Sequence, residues 1–460
     1  MEAYQSILHD EFNDVINTPS VCMCADGRLV PGHDQRDELA EQIQRIASDS
    51  GLGVAMLVLH EQQVRTGHLA SQVARAGDTP LDFSVATRIL RTTGHAHFLN
   101  VPIRAYRGDQ ALLQQLGIFY RHANENECRK LDHGVGKECF YCSASLRLLR
   151  EVLPEHGPGS VENAYPGVKD TYTLGFTFAP FGKPDAVCHF LAWDGPKDKD
   201  GDKFESMNLG DNSIHDLLAF VHSLNTSIRD FYADKECKNY PRLEGIFNGW
   251  AGNSIWHRHF QFCQMENDMP VKSSDVRTEV AKHMNCSILR REWTMPCYTV
   301  SGPSLKDVAG VAYRIAQEWQ GGREGMGEGK RSLNLYVPSG TAGLAGCEHD
   351  ECVLFFWPRD CGRVDYRNIE GACVLGKSTP IPDKKGFASI ESSGAFIVDD
   401  ETAWAYLESC TDTQRQEVAE AWHKQVSPDE EEVRNWEENI LGMNLGKSEG
   451  KLIEPTMKQK

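Results

Sequence analysis

The segment 248–261, near the middle of the chain, is the feature that most limits how this polypeptide can fold. It reads Asn-Gly-Trp-Ala-Gly-Asn-Ser-Ile-Trp-His-Arg-His-Phe-Gln. Its glycine- and serine-containing start predicts a turn. Its end predicts a strand in which His257, His259 and Gln261 project from one face, because alternate residues of a strand point the same way. The segment therefore predicts a sheet that carries two imidazoles and a carboxamide in one row.

These residue types suit chemistry at phosphorus. A histidine nitrogen is a nucleophile at neutral pH, and the phosphoramidate that it forms is reactive enough to be displaced by a second acceptor. Gln261 can orient a phosphate oxygen, and Ser254 with the backbone N–H groups near Gly252 can bind phosphate. The alternative is that the His-x-His pair is two hydrogen-bonded polar residues or part of a metal site.

A second His-x-His pair, formed by His95 and His97, serves as an internal comparison. It lacks the trailing glutamine and the upstream asparagine and serine. We assign no catalytic role to these two histidines.

The segment resembles a motif of the histidine-triad superfamily, in the branch of galactose-1-phosphate uridylyltransferase, diadenosine tetraphosphate phosphorylase and the GDP-hexose phosphorylases. That branch carries an asparagine followed by Gly-x-Ser-x-x-His-x-His-x-Gln. The matching positions are Asn248, Gly252, Ser254, His257, His259 and Gln261.

The resemblance implies a role for each histidine. His259 corresponds to the residue that becomes nucleotidylated, and His257 to a supporting residue or metal ligand. Gln261 stands where hydrolytic relatives have a third histidine, which implies transfer to a phosphate acceptor and not simple hydrolysis. The catalytic candidates are thus His259, Gln261 and His257. The candidates for substrate binding are Asn248, Gly252, Asn253, Ser254 and Arg359.

Arg359 enters that set because residues 352–359 resemble a hydrophobic strand that ends in Phe-Pro-Arg in these relatives. Its guanidinium matches phosphate oxygens bidentately. A surface salt bridge is the alternative.

A zinc site is the one metal prediction. Cys139 and Cys142 form a Cys-x-x-Cys turn, which can present two thiolates to one ion; the alternative is a surface turn without metal. Some uridylyltransferase relatives hold zinc with such a pair, an intervening histidine and the first histidine of the motif, here His257. His189 lies before the matching position and His215 after it, so the fourth ligand is not assigned. No organic cofactor is implied.

Composition limits the partners. The net charge of −18 argues against a nucleic-acid surface, because counterion release needs clustered basic residues. No apolar run has the length of about 20 residues that a membrane span needs, and the first residues do not form a signal peptide. The 15 cysteines are an odd number, which disfavours a disulfide framework. We expect a cytoplasmic protein whose partners are a nucleotide or nucleotide sugar and a phosphate or sugar-phosphate acceptor; the oligomeric state stays open.

The fold class expected is α+β, with antiparallel sheets and packed helices. Residues 1–125 form an N-terminal α/β region of unknown role, 126–270 a first histidine-triad-like module with the motif, 271–400 a second such module, and 401–460 an acidic helical tail.

Hydrophobic periodicity predicts individual elements. The predicted helices are 35–47, 84–91, 110–115, 213–224 and 305–319. The predicted strands are 54–59, 172–178, 187–193, 291–300, 332–337 and 352–359. Residues 321–330 are predicted to be a glycine-rich loop.

The function expected is a nucleotidyltransferase or phosphorylase that acts on a dinucleoside polyphosphate or nucleoside diphosphate sugar through a covalent nucleotidyl-histidine intermediate. Two alternatives remain open: a metal-dependent phosphohydrolase and a non-catalytic nucleotide-binding module.

Overall fold

The computed structural model shows an α+β protein, which confirms the fold class expected from the sequence. The structure describes residues 3–18, 22–23, 29–30, 33–65, 88–92, 96–100, 172–176, 188–194, 209, 212–249, 259–265, 268–321, 331–341, 344–348, 351–360, 387–398 and 401–442.

The described helices and strands are as follows. The helices are α1 Ala3–Ile16, α2 His33–Asp49, α3 Leu52–Arg65, α4 Ser213–Ala233, α5 Leu305–Trp319, α6 Ser389–Ser392, α7 Glu401–Ser409, α8 Asp412–Val426 and α9 Glu430–Gly442. The strands are β1 Cys22–Met23, β2 Leu29–Val30, β3 Arg88–Arg91, β4 His97–Asn100, β5 Tyr172–Phe176, β6 His189–Asp194, β7 Leu243–Asn248, β8 His259–Gln264, β9 Val276–His283, β10 Cys286–Arg291, β11 Tyr298–Gly302, β12 Arg331–Val337, β13 Cys352–Asp360 and β14 Ala395–Val398.

A long antiparallel sheet organises the described residues. Its nine strands follow the order β5-β6-β8-β7-β12-β13-β11-β10-β9. Within the first half, β8 pairs with both β6 and β7, and within the second half β13 pairs with both β11 and β12. The halves meet where β7 pairs with β12.

The two halves share one chain connectivity. In the first, a pair of antiparallel strands (β5 and β6) is followed by α4 and then by β7 and β8, which pair with each other. In the second, β10 and β11 are followed by α5 and then by β12 and β13. The strand orders also correspond, β5-β6-β8-β7 against β10-β11-β13-β12, with β9 added at the outer edge. The described part of the sheet therefore consists of one motif used twice. The two copies meet at β7 and β12, which are the third strand of each copy in chain order.

One face of the sheet packs against helices. α4 and α5 contribute the apolar side chains of their inner faces to a core that includes Phe260 and Phe262 of β8 and Leu335 of β12. The N-terminal helices pack outside α4. Gly53 of α3 allows this approach, because a Cβ there would lie 2.2 Å from the carbonyl oxygen of Leu224.

Among the described residues, those that pack on the opposite face lie mainly over the second half of the sheet. A second core joins Phe355 and Trp357 of β13 to Phe396 of β14 and Trp422 of α8. β14 belongs to a small sheet with β3 and β4, in which it pairs parallel to β4. Residues from both ends of the chain thus cover this face.

Most of the element predictions that can be compared with described residues are confirmed. The helices predicted at 35–47, 213–224 and 305–319 are present as α2, α4 and α5. The strands predicted at 172–178, 187–193, 332–337 and 352–359 are present as β5, β6, β12 and β13, and the tail is helical from Glu401 to Gly442 with a break at each turn. The prediction for 110–115 lies outside the described residues, as do 322–330 of the glycine-rich loop.

Three predictions are wrong. Val54–Leu59 lie in helix α3 and not in a strand. These residues are buried on all sides, and a short run of apolar residues shows neither the helical nor the strand period, so the sequence does not distinguish a helix from a strand. Arg88–Arg91 form a strand where a helix was predicted; this strand obtains its hydrogen bonds from β4, which no local pattern shows. The strand predicted over 291–300 is interrupted, since β10 ends at Arg291 and β11 starts at Tyr298.

Within the described residues, no helix combines the length and the apolar character that a bilayer crossing requires.

Candidate functional site

Strand β8 carries a polar row on one face and an aromatic row on the other. Phe260 and Phe262 belong to the core beneath α4. His259, Gln261 and Cys263 alternate with them and therefore lie on the opposite face. The predicted sharing of one face by His259 and Gln261 is confirmed by this alternation, while His257 lies outside the described residues.

The register of the sheet places further polar residues beside His259. His259 pairs with Trp193 of β6 on one side. On the other side, Phe260 pairs with Phe247, and that register continued by one residue sets Asn248 opposite His259. Asn248 in turn pairs with Asn334 of β12. His259 is 4% exposed and so lies within the protein, in a row that includes two asparagines.

A hydrogen bond joins Gln261 to a buried histidine on the neighbouring strand. His189 of β6 pairs with Cys263, so it lies diagonally across from Gln261. Its Nε2 is 3.2 Å from Oε1 of Gln261. Because a carbonyl oxygen only accepts, the imidazole donates Nε2–H in this contact. The glutamine side chain is therefore held from the β6 side.

Asn248 is tied to helix α6. Its Oδ1 accepts a hydrogen bond of 2.7 Å from the backbone N–H of Ser389, and Oγ of Ser389 donates to the carbonyl of Phe247 at 2.6 Å. Asn248 is 4% exposed, so this contact is shielded from water. The end of β7 and the start of α6 are thus fastened together beside His259.

The residue after Asn248 has no room for a side chain. Gly249 donates its N–H to the carbonyl of Leu333 at 2.8 Å. A Cβ at this position would lie 2.2 Å from that carbonyl oxygen. The glycine therefore allows the chain to leave β7 close against β12, before residues 250–258, which lie outside the described part of the chain.

A buried ionic cluster lies on the same face, at the other end of β7. Glu244 accepts from Tyr336 Oη at 2.7 Å and contacts Lys272 Nζ at 3.3 Å. Lys272 also contacts Asp268 at 2.6 Å. Burial raises the pKa of Glu244, while Lys272 and the Tyr336 hydroxyl act in the opposite direction. The cluster fixes the 3-10 turn Pro270–Ser273 to the sheet.

Arg359 lies on the same face of the sheet but away from His259. Its strand β13 is separated from β8 by β7 and β12, which corresponds to three strand spacings, or about 14 Å. Its side chain is fully buried, and Nη1 donates to the carbonyl of Phe387 at 2.7 Å. The alternative of a surface salt bridge is therefore wrong. A phosphate contact for this residue stays a prediction.

The corresponding strand of the second half has no polar pair. β13 lies between β11 and β12 as β8 lies between β6 and β7. On the face that carries His259 and Gln261 in the first half, β13 presents Val353, Phe355 and Trp357 to an apolar core. Phe355 and Trp357 stack with ring centroids 5.9 Å apart. In the second half, these positions of β13 therefore serve packing.

The structure brings together a part of the predicted site. His259 and Gln261 lie two residues apart on one face of β8, and Asn248 of β7 lies opposite His259. Six candidates lie outside the described residues: Gly252, Asn253, Ser254, His257, Cys139 and Cys142. Among the described residues, no group of three or more histidine, cysteine, aspartate or glutamate side chains is placed to hold a metal ion.

Two residues of the site were not assigned a role from sequence. His189 was visible as a histidine near the start of a hydrophobic strand, but its diagonal contact with Gln261 depends on the pairing of β6 with β8. Ser389 had no sequence signal, since it is separated from Asn248 by 141 positions.

Comparisons with known proteins give little further information. No protein-family model and no curated protein matches the chain. Among solved structures, a DUF4931 family protein from Bacillus cereus matches with 11% sequence identity and a TM-score of 0.29, over 42% of this chain and 84% of that one.

Proposed function

We propose that this protein is a nucleotidyltransferase or phosphorylase of the histidine-triad type. Its substrate is a nucleoside diphosphate compound, either a dinucleoside polyphosphate or a nucleoside diphosphate sugar. The observation that supports this proposal best is the position of His259 and Gln261 on one face of β8, next to Asn248. The match of residues 248–261 to the superfamily motif, which includes these three residues, also supports it.

The first step is attack by an unprotonated imidazole nitrogen of His259 on the α-phosphorus. An N–P bond forms as the bond from the α-phosphorus to its bridging oxygen breaks. The bridging oxygen takes the electron pair and leaves as a sugar phosphate or nucleoside polyphosphate. The product on the enzyme is a nucleotidyl-histidine.

The second step returns the enzyme to its starting state. A phosphate oxygen of inorganic phosphate or of a sugar phosphate attacks the same phosphorus. The new O–P bond forms as the N–P bond breaks, and the electron pair returns to the imidazole. The two steps together predict ping-pong kinetics, because the first product leaves before the acceptor reacts.

The other residues act on charge and position. The amide N–H groups of Gln261, with Ser254 and the backbone near Gly252, stabilise charge that develops on the phosphoryl oxygens. Asn248 holds the end of β7 against α6, which sets where the chain enters residues 250–258.

The resemblance also supports a structural zinc held by Cys139, Cys142 and His257. These residues lie outside the described part of the chain, so no step above depends on the metal. Elemental analysis of the purified protein tests it. We expect the Cys139→Ser variant to lose the metal and the Cys237→Ser variant, at a thiol on the segment after α4, to retain it.

The test of the proposed function is covalent labelling. The protein is incubated with dinucleoside polyphosphates and nucleoside diphosphate sugars that are radiolabelled at the α-phosphorus, and then denatured. We expect acid-labile label on the wild-type chain and none on the His259→Gly and His259→Asn variants. The His97→Asn variant, which changes the other His-x-His pair, should be labelled like the wild type.

Each alternative has its own outcome. Label at the wild-type level on the His259 variants contradicts the proposal. Nucleotide binding without label or exchange favours a binding module. Hydrolysis that stops when a metal is removed, again without label, favours a phosphohydrolase.

A further inference from the structure

The contact between His189 and Gln261 is the observation outside the proposed chemistry that leads furthest. The two side chains belong to neighbouring strands and meet diagonally. His189 pairs with Cys263, which is two residues from Gln261 on β8. Diagonal neighbours on one face of a sheet are within reach of long side chains. The distance of 3.2 Å between Nε2 and Oε1 is that of a hydrogen bond.

This hydrogen bond decides which end of the glutamine amide is left for a ligand. A carboxamide has a donating NH₂ end and an accepting oxygen end. The oxygen of Gln261 is engaged by Nε2–H of His189, so the NH₂ group is the end that remains. A phosphoryl oxygen only accepts, and a reversed amide would present a second acceptor to it and repel it.

The two side chains differ in exposure. His189 is 2% exposed, whereas Gln261 is half-buried. The ring is held on β6, which is paired on both sides, by β5 and by β8. The histidine is therefore a rigid support behind the glutamine, and the glutamine is the side chain with the more open position.

We propose that His189 is a positioning residue for Gln261. It holds the Gln261 amide with its NH₂ group directed to a phosphoryl oxygen of the nucleotide substrate, and it does not itself touch the substrate. This inference rests on the proposed function, because it gives Gln261 its role in charge stabilisation.

Kinetics of labelling test the inference. The His189→Phe variant keeps a planar ring but cannot donate, and the His189→Gln variant can donate through its amide. We expect the first-order labelling rate at saturating substrate to fall about 10- to 100-fold in His189→Phe, since a misaligned or missing donor at a phosphoryl oxygen has effects of this order. We expect partial recovery in His189→Gln. The exposed His222, changed to Phe, is the matched control and should label at the wild-type rate.

A double-mutant cycle separates positioning from packing. In a Gln261→Leu background, His189→Phe should cause no further loss of rate, because the group through which His189 acts is already absent. An equal loss in both backgrounds overturns the inference. Thermal unfolding of each variant is measured alongside, so that a loss caused by partial unfolding is recognised.

A second measurement does not depend on turnover. Heteronuclear NMR of protein with isotope-labelled histidine reports which ring nitrogen of His189 carries the proton; the His189→Gln variant assigns the signal. We expect the Nε2–H form in the wild type, with hydrogen exchange that becomes faster in Gln261→Leu. The Nδ1–H form in the wild type overturns the inference. If no substrate labels the wild type while the Nε2–H form is found, the proposed function fails and the contact itself stands.

Discussion

At the scale of single residues, Asn248 illustrates how the surroundings decide a role. The motif alone suggests a substrate contact, and the structure shows that its carboxamide oxygen accepts from Ser389 N–H. Removing that acceptor leaves a buried N–H without a partner, which costs about 1–3 kcal/mol. We therefore expect Asn248→Ala to lower the free energy of unfolding by this amount in urea titrations.

Two variants sharpen this prediction. Asn248→Asp retains an oxygen acceptor and should lose less stability, and Asn239→Ala, at an exposed position, should lose almost none. A fall in labelling rate with unchanged stability in Asn248→Ala would show instead that Asn248 acts on the substrate.

Lys272 is the second residue with a sharp expectation. It is the cation beside Glu244, whose side chain is 5% exposed, and Lys272 itself is 15% exposed. Removing one partner of a buried pair leaves an uncompensated charge, so Lys272→Met should lower the free energy of unfolding by about 3–5 kcal/mol. The double variant with Glu244→Gln should recover much of this loss, because a neutral amide can still accept from Tyr336.

An exposed ion pair provides the control for Lys272. Lys282 contacts Glu279 on β9 at 3.2 Å, with side-chain exposures of 69% and 48%. Lys282→Met should change the free energy of unfolding by no more than about 1 kcal/mol. An equal decrease in the free energy of unfolding for Lys272→Met and Lys282→Met would show that burial does not determine the contribution of these ion pairs.

At the scale of elements, α8 is held against the core by a buried histidine. His423 donates Nε2–H to the carbonyl of Glu391 at 2.8 Å and accepts at Nδ1 from Thr294 Oγ1. Phe387 and Phe396 lie against the ring. Burial lowers the pKa of His423 to about 4, although the bond to Glu391 acts in the opposite direction. The neutral ring is therefore the form that fits the folded protein.

The consequence is a loss of stability in acid. In the unfolded chain His423 is protonated as the pH falls below the ordinary histidine pKa of 6.5. In the folded chain it is protonated only when the pH falls to about 4. The free energy of unfolding should fall by about 3 kcal/mol over this interval on account of His423 alone. His423→Gln should remove this part of the pH dependence in urea titrations at pH values across it, whereas His222→Gln should not. A wild-type profile retained by His423→Gln contradicts the prediction.

The elements also show what local sequence can and cannot predict. α5 was predicted with its exact bounds, because its apolar residues follow a helical period over a long stretch. α3 and β3 were predicted wrongly, since the first is buried on every side and the second depends on a partner strand that follows it. Of the site, the common face of His259 and Gln261 follows from the period of a strand. The contacts with His189 and Ser389 do not, because they join distant parts of the chain.

At the scale of the whole molecule, the repeated connectivity leads to a stoichiometry. The first half carries His259 and Gln261 on β8, and on the same face of β13 the second half has Val353, Phe355 and Trp357, followed by the buried Arg359. We therefore expect labelling to saturate at one nucleotidyl group per chain, measured by mass spectrometry of the intact protein. Two groups per chain would contradict this expectation, and peptide mapping would locate the second.

The junction of β7 with β12 has a consequence for the halves taken separately. In the described residues, β7 has β8 on one side and β12 on the other, so a fragment that ended at residue 265 would expose the backbone donors and acceptors of β7 along a bare strand edge. Such a fragment would cover that edge by dimerising with its own copy, or would precipitate. The second half thus completes the sheet of the first at β7, and this structural role does not require a polar row on β13.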